Sequence, residues 1–171
     1  VTDEDWPTER VVRGWWTYGD LVAGDRETRV RLERGEGADM EEVRTAQSLV
    51  WEAVRAGGVE AVELVRALAR CATDDDRIGR LAAGPVGDLV TLHGTELAGL
   101  IADAAAQDQH LAEVLRYAWV GDASLEEAAQ EVLLPWIPHL DVHTLRAPAR
   151  PRKGRRWKDR AVPGADVSRY G

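Results

Sequence analysis

Positions 146–171 carry nine Lys or Arg residues against Asp159 and Asp166 alone, and Trp157 sits in the densest part of that run. Guanidinium and ammonium groups neutralise phosphates, and an indole stacks on an exposed base. Arg150, Arg152, Lys153, Arg155, Arg156, Trp157, Lys158 and Arg160 are therefore the candidate partner-binding residues. The same charge suits an acidic protein, or the acidic remainder of this chain, because a charge run alone does not name its partner. Pro148, Pro151 and Gly154 interrupt the run. Such a composition cannot bury a core, so an extended basic tail is expected.

His139, Asp141 and His143 form a second group, beside Pro138. Two imidazoles and a carboxylate are usable ligands for a divalent metal, and open positions would make a hydrolytic site. The string lacks a distant further ligand of obvious type, so turn residues leading into the tail are expected and no metal is assigned. Asp74, Asp75 and Asp76 lack the spaced oxygens and terminal Glu of a calcium loop and read as helix capping. Cys71 reads as a small buried hydrophobe.

The sharpest local cluster is Gly84, Pro85, Asp88, His93 and Gly94. Asp88 and His93 lie five residues apart, about 140° around a helix, so they do not share a face as an acid–base pair would. Asp88 is expected at a positive helix start, and His93 at a negative helix end where its ring caps carbonyls. No nucleophile elbow, phosphate loop or dinucleotide fingerprint occurs. The expectation is a protein that is not an enzyme and takes no cofactor.

The elements that hold these groups read as helices. Met40, Val43, Ala46, Val50, Ala53 and Val54 follow one stripe from a capping box at Asp39 and Glu42 to a stop at Gly57-Gly58. Further helices are predicted over 6–22, with Val11, Val12, Trp15 and Tyr18 inward, and over 59–71. Thr73 or Asp74 opens a short helix ending at Gly84, and Pro85 to Gly94 makes another short segment. Helices then span 95–107 and 108–120, and a capping box at Ser124 and Glu127 opens a last one through Leu133, stopped by Pro135 and Pro138. Residues 24–38 alternate briefly but have no evident strand partner and are read as loop. The fold class is all-α, with seven or eight short antiparallel helices as an irregular bundle or a helical-repeat-like stack.

The 171 residues hold 30 acidic and 22 basic side chains, a formal charge of -8. Residues 146–171 contribute +7, which leaves -15 on the first 145, so the chain divides into an acidic helical domain over 1–145 and the basic tail over 146–171. One Cys excludes an internal disulfide. No apolar run reaches the roughly 20 residues that span a bilayer, and the acidic start is wrong for a signal peptide, so a cytoplasmic setting is expected. There are seven Trp and no Phe. Trp15, Trp51, Trp119 and Trp136 are expected to fill the core in place of Phe, while Trp6 and Trp16 fit an inward stripe less easily and read as partly buried beneath the loop, with surface anchors as the alternative.

The stretch from Ile78 to Gly94, with Ala83-Gly84-Pro85, Asp88-Leu89 and His93-Gly94, followed by an amphipathic helix and Trp119, resembles a family of small bacterial helical domains of unknown function. The resemblance runs over residues 8 to 122, less tightly upstream, and does not reach the tail. It implies the helical fold and no reaction. Gly87 departs from that family's commoner acidic residue, which is expected to loosen the helix start there. The function expected is a protein-interaction module, of the kind an acidic immunity or inhibitor protein provides, with its charge speeding association. The alternatives are a nucleic-acid- or ribosome-associated factor anchored by the tail, and a metal-dependent hydrolase at His139 and His143.

Overall fold

The computed structural model describes residues 6–24, 26–34, 38–120 and 125–140. Within these the chain is all helical: α1 (Thr8–Ala23), α2 (Arg26–Arg34), α3 (Ala38–Ala56), α4 (Gly58–Arg70), α5 (Asp75–Leu81), α6 (Gly87–Gln107), α7 (Gln109–Arg116) and α8 (Glu127–Leu133). The tail, with every residue from Arg150 to Arg160, lies outside the described residues, as do Asp141, His143 and Ser124. No described helix is long and apolar enough to cross a membrane.

One apolar cluster runs through the fold, from Val11 on α1 to Leu140 beyond α8. Helix α4 is its hub, touching α1, α3, α5, α6 and α7 and burying Ala61, Val62, Val65, Leu68 and Ala69. Its apolar positions recur at helical spacing, as the stripe predicts. The most extensive helix pair is α1 on α3. Gly14 lets them close up, since a Cβ there would stand 2.4 Å from Ala46 Cβ. Gly57 and Gly58, at φ +72° and +86°, turn the chain from α3 into α4 in a conformation that side chains disfavour.

Several expectations need correction. Residues 26–34 form a helix rather than a loop, with Glu27 in the first turn and Arg31 and Arg34 in the last, complementing the helix dipole. With no strand among the described residues to pair with, the backbone satisfies itself internally. Gly94 does not end a helix. α6 runs unbroken through it, because Gly94 is buried and a Cβ there would lie 2.6 Å from Leu125 Cδ2. Close packing is what that glycine supplies. Helix α5 passes into α6 through one wide π-type turn, Ala82–Val86, where Gly84 leaves helical geometry at φ -110°, ψ -115°. The wide turn absorbs Pro85, whose missing N–H and bulky ring a regular helix could not accommodate.

Gly87 tightens this region rather than loosening it. A Cβ there would stand 2.5 Å from Trp119 O and 2.7 Å from Ala82 O, and Trp119 N donates to Ala82 O at 3.3 Å. With its backbone pinned this way, Trp119 directs its side chain outward, 73% exposed, and is not a core residue. Trp16 is the converse: it is 5% exposed, and its Nε1 donates to Leu68 O at 3.3 Å. The bulk that Phe would supply comes instead from Leu, Ile and Val, which are the largest fully buried side chains.

Candidate functional site

Helix α1 presents Trp15 and Trp16 on successive positions, about 100° apart, so that one faces the core and the other its edge. Trp15 is half-buried and meets Trp51 of α3 edge to face, with ring centroids 5.7 Å apart and planes at 73°. Together they wall a mostly apolar cleft of about 290 Å³. Tyr18, Gly19 and Val22 continue the α1 wall, Gln47 lies on α3, and Arg80, Gly84 and Pro85 close the far side. The π-type turn is what brings Gly84 and Pro85 there: Trp51 stands 3.8 Å from where a Cβ on Gly84 would be.

Across Trp16 lies a more polar groove of about 610 Å³, lined by Arg13, Asp20, Arg70, Cys71 and Arg77 among others. Its cations are tied down. Arg77 stacks 5.1 Å over the Trp16 ring, pairs with Asp20 Oδ2 at 2.6 Å, and donates to Cys71 O at 3.2 Å. Arg70 Nε and Arg66 Nε meet Asp108 Oδ2 at 2.6 and 3.2 Å. Asp108 also caps α7 by accepting from His110 N at 3.1 Å. Burial pushes its carboxyl up, but the bonds from Arg70, Arg66 and His110 N outweigh burial and hold it below its ordinary value. The same contact, first through the hydrogen bond to Asp108, raises Arg66.

The residues singled out in the sequence are dispersed. Gly84 and Pro85 line the aromatic cleft. Asp88 is exposed in the first turn of α6, which the wide turn joins to α5 without a free helix start. His93 is not at a helix end. It sits within α6, and its Nε2 lies 3.0 Å from Arg55 O, so it caps the last turn of α3 instead of its own helix. His139 Nε2 lies 2.7 Å from Ala118 O. Asp74 caps α5, its Oδ1 accepting from Arg77 N at 2.8 Å. Among the described residues, no group of three or more His, Cys, Asp or Glu is placed to hold a metal ion. Cys71 is exposed, not buried, because it forms the C-terminal cap of α4 at the groove.

The cleft itself escaped sequence reasoning. Trp15 fits an inward stripe and Trp51 reads as core by its bulk, and neither signal separates a core position from one at its edge. Residues 33–133 match the model of the DUF6869 family, described as a family of unknown function. The chain belongs to DUF6869. The match begins near the end of α2 and closes with α8, so α1 and its Trp15 precede it, whereas Trp51, Arg80, Gly84 and Pro85 fall inside. The DUF6869 stretch therefore starts later and runs further than the 8–122 of the motif resemblance. No curated protein and no solved structure matches the chain.

Proposed function

We propose that this DUF6869 protein is a non-enzymatic binding module that seats a segment of a partner protein in the cleft between Trp15, Trp51 and the turn at Gly84. The observation that carries the reading is the pair of half-buried indoles walling a single apolar cleft. Tryptophans of this kind are the residues on which binding energy concentrates, and apolar concavities with a few polar groups are where ligands seat. The -15 of residues 1–145 adds long-range attraction for a basic partner surface, as an immunity or inhibitor protein would use. A cytoplasmic setting belongs to the same reading.

A random peptide library displayed on phage, selected on the full chain and counter-selected on Trp51→Ala, tests it. Peptides retained by the parent chain and lost on both Trp51→Ala and Trp15→Ala are expected. Peptides that bind all three chains equally would sink the proposal. Melting curves establish that the variants fold.

The charge of the tail favours a second reading, in which Arg150, Arg152, Lys153, Arg155, Arg156, Trp157, Lys158 and Arg160 bind nucleic acid. Truncation after Ala147 then abolishes retention on RNA or DNA. For the intact chain, log affinity falls with log salt by about 0.9 per phosphate neutralised on duplex DNA. Equal retention of the truncated chain refutes it.

A further inference from the structure

We infer that the segment seated in the cleft presents an acidic side chain to Arg80, beside a large apolar side chain held against Trp15 and Trp51; this rests on the cleft-binding reading above. Arg80 Nη1 is buried without a hydrogen-bond partner, and Asp20 Oδ1 stands 4.0 Å from it. Asp20 itself is committed to Arg77, through Oδ2 at 2.6 Å. Gly19 makes the room for this placement, since a Cβ there would lie 2.8 Å from Nη1. The Arg80 side chain as a whole is 37% exposed and forms part of the cleft wall.

An occupant of the cleft therefore covers the exposed remainder of a guanidinium whose Nη1 is already buried and whose nearest anion on the chain, Asp20 Oδ1, stands 4.0 Å away. Covering a cation with apolar atoms alone is strongly unfavourable, whereas a carboxylate at its open edge makes short, charge-assisted bonds. The cleft thus selects an anionic group next to an apolar one. Gln47 adds an amide with both donor and acceptor, which suits a peptide backbone. Val22, 42% exposed, and Ala23 carry apolar surface along the α1 wall to its end, so an occupant longer than one side chain is needed to cover it. These features favour a protein segment over a small carboxylate. The surplus acid of the body repels further acids, so the recovered peptides should carry one acid among neutral or basic neighbours.

The probe is the most enriched peptide of the library selection, labelled with a fluorophore and made both as selected and with its acid replaced by the amide. Each form is titrated by anisotropy against the full-length parent, Arg80→Gln and Arg80→Lys. The acid form should bind the parent about tenfold more tightly than the amide form, a difference that Arg80→Gln erases and Arg80→Lys partly restores. Equal binding of acid and amide forms, with Trp51→Ala still abolishing both, overturns the anion inference and leaves the cleft reading standing. Binding indifferent to Trp51→Ala overturns both. Competition by indole-3-acetate as strong as by unlabelled peptide overturns the choice of a protein segment.

Discussion

The ring of His93 occupies the space that a side chain on Gly57 would need: a Cβ at Gly57 would stand 2.9 Å from both Cγ and Nδ1 of the imidazole. The same ring places Nε2 3.0 Å from Arg55 O, and a carbonyl can only accept, so Nε2 carries the proton. One histidine of α6 thus closes the end of α3 where the chain turns into α4.

Gly57→Ala meets two obstacles at once, a φ of +72° and the imidazole. It should destabilise by more than about 1 kcal/mol, and His93→Ala should cost about 1 kcal/mol for the lost bond. Combined in one chain, the two should cost less than their sum, because removing the ring relieves the clash. Urea titration of the three variants measures this; strict additivity would contradict the contact.

Asp108 is 6% exposed and its folded carboxyl lies below its ordinary value. A depressed carboxyl contributes stability that is fully present above the unfolded value of about 3.9 and is lost as pH falls through the lower folded value. Asp108→Asn keeps a competent helix cap but gives up the charge pairing. It should lose about 1–2 kcal/mol at neutral pH, discounted because Arg70 is 55% exposed, and should show a shallower fall in stability on acidification. Thermal melting between pH 2 and 7 reads out both.

Two helical glycines should respond oppositely to Ala. At Gly79 nothing lies within 4 Å of the new Cβ, and Gly79→Ala should stabilise by about 0.5–1 kcal/mol. At Gly14 the new Cβ would stand 2.4 Å from Ala46 Cβ, so α1 and α3 must part. Overpacking of about 1–3 kcal/mol then exceeds the gain in helix propensity. Equal shifts in melting temperature would argue against the close helix pair.

Gly87→Ala should be more damaging, because the new Cβ would meet two backbone oxygens, Trp119 O and Ala82 O, neither of which can swing away. A loss of at least about 2 kcal/mol is expected, with the exposed indole of Trp119 changing its emission as the segment shifts. An unchanged melting curve would rule out the tight turn described here.

What could be read from the residues alone was local. The stripe from Met40 to Val54, the Asp74 cap and the Gly57-Gly58 turn depend on neighbours within a few positions, and the sequence contains those neighbours. What was missed depends on distant ones. Gly94 looks like a helix stop until Leu125 is brought against it, and His93 looks like a cap for its own helix until Arg55, 38 residues earlier, supplies the carbonyl. The depth of Trp16 and the exposure of Trp119 depend on distant partners too, since Leu68 O accepts from one indole and Ala82 O pins the backbone of the other. The cleft combines both kinds of information: Gly84 and Pro85 were conspicuous as punctuation, but their place opposite Trp51 required the wide turn.

Trp16 lines both the aromatic cleft and the arginine-bearing groove. It is a party wall. A substitution of that one side chain alters the wall of both openings at once, and its nitrogen is anchored to Leu68 O.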